Sequence, residues 1–122
     1  MSWILHHSQS EQYAKLAEEA KREHNNARAI ELYRLAAEAE ILALKALEPT
    51  KTRTIGITAV SAASLLYKAQ EFRSSEQLAY QWLITDLLPT FAVRQLQELL
   101  QAIWSERELV QKRSSKNNVK TT

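Results

Sequence analysis

Residues 58–72, TAVSAASLLYKAQEF, have helical spacing, yet the positions that should face a core carry Ala59, Ala62, Ala63 and Ser64 where leucine would normally sit. That thinness constrains the fold more than any other feature. Side-chain size sets how closely two helices approach, over an interaxial range of about 8–10 Å. Burying one leucine contributes about 1.5–3 kcal/mol and alanine much less. A thin helix therefore needs many close contacts, a neighbour that is equally thin, and bulky residues at its edges. Leu65, Leu66, Tyr67 and Phe72 stand where they can seal those edges.

The chain supplies such a neighbour. Over about Ala27 to Leu47, Ile30, Tyr33, Ala37, Ile41 and Leu44 form one apolar stripe, and Ala29, Ala36, Ala39, Ala43 and Ala46 form a second beside it. Glu31, Arg34, Glu38 and Lys45 leave only a narrow polar strip. A helix with so little polar surface packs on more than one side, so this segment is expected to be central. Pro49 ends it, because the residue before a proline is pushed out of the α region.

Three more helical segments are expected. The first runs from about Gln9 to Arg22, with Ser8 and Glu11 in capping-box spacing and Tyr13, Leu16, Ala17 and Ala20 on one face. EHNNA breaks it, and Asn25 or Asn26 can cap the next helix. The segment holding the alanines and Ser64 runs from about Ile55 to Gln70, capped by Thr52 or Thr54, with Gly56 near its first turn. A fourth starts at the Ser74–Gln77 capping-box pair and buries Leu78, Ala79, Trp82, Leu83 and Leu87. A fifth starts at Thr90, after Pro89, with Val93, Leu96, Leu99, Leu100 and Ile103 in a stripe. One glycine and two prolines in 122 residues leave too few turn formers for a sheet protein. The class is all-α, built of about five helices in antiparallel hairpins.

The charge is unevenly placed. From Arg107 onward there are five basic residues and one acidic, whereas residues 1–106 hold eleven basic and thirteen acidic. The basic pI is thus a property of the C-terminus. KRSSKNNVKTT (112–122) has a single apolar residue and is expected to be a disordered basic tail on a helical domain of residues 1–111. There is no cysteine, hence no disulfide or thiolate metal site. MSWILHHSQS has no basic start and only three consecutive bulky apolar residues, and no run approaches a membrane span, so a cytoplasmic location without membrane contact is expected.

Two segments of the chain share an order of large and small residues. Tyr13, Leu16-Ala17 and Ala20 are followed by Ala29, Tyr33 and Ala36; Ala59, Ala62-Ala63 and Leu66 are followed by Ser75, Ala79 and Trp82. Nine residues separate Ala20 from Ala29 and Leu66 from Ser75. This order resembles the tetratricopeptide-repeat family in a degenerate form, with LYKAQEF similar to its Tyr-Lys-x-Gly-x-Tyr turn and Gln70 in place of Gly. The copies lie 46 residues apart rather than the family's 34, and Trp82 stands where the pattern has Ala. A three-helix domain of the microtubule-interacting-and-trafficking kind resembles the first 70 residues nearly as well. Residues Arg53–Leu83 are also similar to segments of small bacterial helical proteins of no assigned activity.

The tetratricopeptide resemblance implies a groove, lined by the first helix of each hairpin, that takes a partner's peptide or helix. Carried onto this chain it would use Glu18, Lys21 and Arg22 from the first helix and Val60, Ser64, Tyr67 and Lys68 from the third. Ala14 and Glu18 stand where some members carry the Lys and Asn that clamp a C-terminal carboxylate, so chaperone-tail binding is not implied.

No catalytic pattern is present. His6 and His7 are adjacent and His24 lies in a polar turn; no pair has the i, i+4 spacing of two ligands on one helix face, and surface histidines are the ordinary reading. Glu18-Glu19, Glu38-Glu40 and Glu106-Glu108 read as solvated helix faces rather than acid/base pairs. No metal or cofactor is expected. Trp3, Ile4, Leu5, Tyr80, Ile84 and Trp104 fall off the apolar stripes, and two hairpins are few for a repeat array. Self-association as a homodimer is therefore expected, with Trp3, Trp82 or Trp104 near the contact.

The expected function is a non-catalytic protein–protein interaction or assembly module. The alternative is a nucleic-acid-associated accessory protein using Lys112, Arg113, Lys116 and Lys120, although no aromatic is interleaved there for base stacking.

Overall fold

A computed structural model describes residues 2–120, with side chains for residues 2–113. Five α-helices follow in order: α1 (Trp3–Arg22), α2 (Asn26–Lys45), α3 (Thr52–Lys68), α4 (Phe72–Leu83) and α5 (Thr90–Lys120), and the described residues contain no strand. The all-α expectation of about five helices holds.

Each helix packs against the next, and α5 also packs against α3. Helix α2 lies between α1 and α3, but α3 is the element with three neighbours. That is where the thin face goes. Ala59, Ala62 and Ala63 are at most 1% exposed, and Ala36, Ala37 and Ala43 of α2 are fully buried. The lone glycine belongs to the same logic. A Cβ on Gly56 would lie 2.8 Å from Pro89 Cδ and 3.1 Å from Ala92 Cβ, so α3 and the start of α5 meet there backbone to side chain. Nothing local in the sequence calls for that glycine beyond its low cost in a first turn.

The two hairpin turns are the same turn. His24 and Gln70 are the only described non-glycine residues at positive φ, each at 62°. In the first turn Asn25 N–H donates to Ala20 O and His24 N–H to Lys21 O; in the second, Glu71 N–H donates to Leu66 O and Gln70 N–H to Tyr67 O. Both are Schellman closures. The 46-residue step that relates the turns also relates buried residues: Ala17 with Ala63, Ala20 with Leu66, Ala29 with Ser75, Tyr33 with Ala79.

Several helix starts differ from expectation. Helix α1 begins at Trp3 with Ser2 as its cap, so Ser8 and Glu11 lie within the helix and make no capping box. Trp3 ties the extra turns inward, its Nε1 donating to Thr58 Oγ1 at 2.9 Å, and a little further along Ser10 Oγ donates to Ala36 O at 2.9 Å. Asn25 caps α2 as expected, accepting from Arg28 N–H. Lys51 and Glu71 precede α3 and α4 without a side-chain cap, so neither the threonines nor Ser74 acts as predicted. Ser75 turns inward instead and donates to Ala63 O at 2.7 Å. Helix α5 continues past Gln111, where the folded domain was expected to end. Thr121 and Thr122 lie outside the described residues.

Candidate functional site

The two Schellman turns point the ends of four helices toward one cleft of about 360 Å³. Lys21 comes from the last turn of α1, Asn26, Ala29, Ile30 and Tyr33 from α2, Tyr67, Lys68 and Gln70 from the end of α3, Phe72 from the start of α4, and Glu106 from α5. Tyr33 is 4% exposed and its hydroxyl donates to Glu18 Oε1 at 2.5 Å. Lys68 Nζ sits 5.6 Å from the Tyr33 ring centroid and 4.0 Å from Glu18 Oε1. Tyr67 packs edge-on against Phe72, with centroids 5.3 Å apart.

The electrostatics of this cluster are internally consistent. The Tyr33 hydrogen bond, helped by Lys68, Lys21 and Arg22, holds the Glu18 carboxyl below its ordinary range. Burial first, and the Glu18 carboxylate second, push the Tyr33 phenol up to about 12. Burial, with Glu106 nearby, also raises Tyr67. Near neutrality Glu18 is therefore an acceptor and Tyr33 a donor, and no proton moves between them. The cleft offers aromatic walls, the ammonium groups of Lys21 and Lys68 and the carboxylate of Glu106, with Glu18 reaching it through Tyr33.

Of the residues expected to line a groove, Lys21, Tyr67 and Lys68 meet in this cleft, and Glu18 joins it through Tyr33. Arg22 is exposed at the end of α1 and Ser64 is half-buried. Val60 is elsewhere. It packs against Ala63, Leu96 and Leu100, because α5 lies on the side of α3 where the groove was expected to continue.

The three tryptophans lie on three helices. Trp3 stacks on His7, with centroids 4.5 Å apart, besides its bond to Thr58. Trp82 is half-buried and packs with both the α3–α5 cluster and the cluster around Leu44, Ile55 and Ala59. A second cleft, of about 370 Å³, opens beside Trp82 between α2 and α4. Trp104 is 40% exposed and donates through Nε1 to Glu76. Lys112 and Arg113 are exposed; the side chains of Lys116 and Lys120 lie outside the described ones.

Two sequence readings need correction. Glu38 is exposed as expected, but Glu40 is 1% exposed, and His7 turns inward to meet it with Nδ1 2.9 Å from Oε1. His7 Nε2 lies 2.6 Å from Glu11 Oε1. The signal was present: Glu40 stands four residues after Ala36 and three before Ala43, on the buried alanine stripe. His6 Nδ1 is also buried, without a hydrogen-bond partner. Among the described residues no three acidic or histidine side chains converge as a metal site, and no helix is long and apolar enough to cross a membrane.

No protein family, curated protein or solved structure matches this chain. The reading of its function rests on the cleft.

Proposed function

We propose that the protein is a cytoplasmic, non-catalytic interaction module of tetratricopeptide-like character that holds a segment of a partner protein in the cleft between its two hairpin turns. The observation that carries this reading is the convergence of Lys21, Tyr67 and Lys68 with the buried Tyr33 floor. Aromatic side chains give a bound segment large contact area at low entropic cost, while the lysines and Glu106 fix its polar groups. The matching turns at His24 and Gln70 support the hairpin-repeat character, and α5 acts as the helix that covers the last hairpin.

Capture from the native cell lysate tests the proposal, using wild-type bait, a Tyr67→Ala/Lys68→Glu bait and a Lys112→Glu/Arg113→Glu bait, each with and without nuclease. A defined partner that is lost only from the Tyr67→Ala/Lys68→Glu bait supports the cleft. Partners that vanish with nuclease, or with the Lys112→Glu/Arg113→Glu bait, place binding on the basic end of α5 and reject the cleft. Salt separates the same readings, since phosphate contacts weaken by orders of magnitude as salt rises.

A further inference from the structure

One side of the cleft carries more positive charge than it uses. Residues 1–106 are mildly acidic, with eleven basic side chains against thirteen acidic, so a group of cations on this body is a local arrangement. Lys68, Lys21 and Arg22 all act on the Glu18 carboxylate. That carboxylate already accepts from the Tyr33 hydroxyl at 2.5 Å and lies 4.0 Å from Lys68 Nζ. Lys21 and Arg22 are exposed, and among the described residues neither forms an ion pair. One acidic group therefore faces three basic ones, and the surplus can meet an incoming anion.

The other side is aromatic. Tyr67 and Phe72 meet edge-on with centroids 5.3 Å apart, and Ile30 lines the cleft with them. Glu106 belongs to this side, because its charge acts on Tyr67. Lys68 follows Tyr67 in sequence but lies over the Tyr33 ring, 5.6 Å from its centroid, toward Glu18. The lining is thus polarised: cations on the Glu18 side, rings and one carboxylate on the other. A cleft of about 360 Å³ is near the small end of ligand sites, which span about 300–1,000 Å³. It takes a few side chains of a partner rather than a folded element.

We propose that the cleft selects its partner by an acidic side chain next to an aromatic one, the carboxylate held by Lys21 and Lys68 and the ring packed against Tyr67 and Phe72. Arg22 adds to the attraction that draws the acid in. Glu106 disfavours a second acid beyond the ring, because a like charge there is repelled. A run of nucleic-acid phosphates would meet Glu18 and Glu106 as well as the lysines, whereas a single carboxylate meets only the cations. This inference rests on the cleft being the site that holds a partner segment, and it adds which segment fits.

Short acetylated and amidated peptides of Ser and Gly carrying Glu-Phe, Lys-Phe, Glu-Ala or Glu-Phe-Glu at the centre test the assignment. Each is titrated into the full-length, nitrogen-15-labelled chain, and the amide shifts of Tyr67, Lys68, Gln70 and Phe72 are followed. The Glu-Phe peptide is expected to bind about tenfold more tightly than the Lys-Phe and Glu-Ala peptides, and more weakly as salt rises. Lys21→Glu/Arg22→Glu, at two exposed sites, is expected to keep the helical circular dichroism and to reverse the preference toward Lys-Phe. Glu106→Gln is expected to bring the Glu-Phe-Glu peptide up to the affinity of Glu-Phe, a second readout that does not depend on the charge reversal. Equal binding of Lys-Phe, a preference that folded Lys21→Glu/Arg22→Glu leaves unchanged, or no shift with any peptide overturns the assignment. Capture from lysate separates that result from failure of the cleft itself. A partner still lost from the Tyr67→Ala/Lys68→Glu bait keeps the cleft as the site for a ligand of other chemistry, whereas peptide shifts confined to residues outside the cleft reject both.

Discussion

His24 and Gln70, 46 residues apart, occupy the same left-handed backbone conformation and close their hairpins with the same pair of backbone hydrogen bonds. Each is a side-chain-bearing residue where glycine is the usual choice. A left-handed L-residue costs about 1–2 kcal/mol, partly offset by the extra chain entropy glycine loses on folding. His24→Gly and Gln70→Gly should therefore each stabilise the fold by about 0.5–1 kcal/mol, and the two gains should add because the turns share no partner. Urea unfolding of the single and double variants measures this. Unchanged or lowered midpoints would mean that the two side chains stabilise their turns by contacts of their own.

Gly56 should behave in the opposite way. A methyl group there would enter the space held by the Pro89 ring and the Ala92 Cβ, at 2.8 and 3.1 Å. Ring and backbone-anchored atoms yield poorly, so the α3–α5 packing must open. Gly56→Ala is expected to cost about 1–3 kcal/mol despite alanine's better helix propensity, which alone would favour the change by about 1 kcal/mol. Thermal unfolding of this variant beside an exposed control, Ser8→Ala, reads the difference.

These two sites mark what the sequence could and could not tell. Helix content, the Asn25 cap and the alanine faces of α2 and α3 were legible because each is a local spacing rule, and the 46-residue step because the order of large and small residues recurs. The meeting of Lys21, Tyr67 and Lys68 was legible only through a family resemblance. Gly56 was not, since its role depends on Pro89, 33 residues away. The surroundings of Val60 are of the same kind: only the return path of α5 decides that this side of α3 packs against Leu96 and Leu100. Residue type alone puts Glu40 among the solvated charges, whereas its register on the alanine stripe puts it inside.

The Glu40 carboxylate makes a sharp test of that register. It is 1% exposed and its hydrogen bonds in the structure are to His7 Nδ1. His7→Ala removes the donor and leaves a buried acceptor without a partner, which is expected to cost about 2–3 kcal/mol. Glu11→Ala touches only the exposed side of the same ring and should change stability by less than about 0.5 kcal/mol. The double variant His7→Ala/Glu40→Leu should regain part of the loss by removing the orphaned acceptor. Equal effects of His7→Ala and Glu11→Ala in chemical denaturation would show that Glu40 reaches water.

Tyr33 and Glu18 set opposite ends of the pH profile. The Tyr33 phenol is raised from 10.0 to about 12, so its contribution to stability is fully present below pH 10 and is lost as pH rises toward 12. Glu18 is lowered, so its contribution is present above the ordinary carboxylate range and is lost as pH falls through its folded value. Ultraviolet titration of the four tyrosines should show Tyr33 ionising last. Tyr33→Phe should abolish that step, at a cost of about 0.5–1.5 kcal/mol at neutral pH for the lost hydrogen bond. It should also flatten the alkaline limb of stability above pH 10, and flatten the part of the acid limb that Glu18 contributes, because without the Tyr33 donor its folded and unfolded pKa values approach each other. If all four phenols ionise together near 10 while the helical signal persists, Tyr33 is open to solvent and the floor of the cleft is not closed.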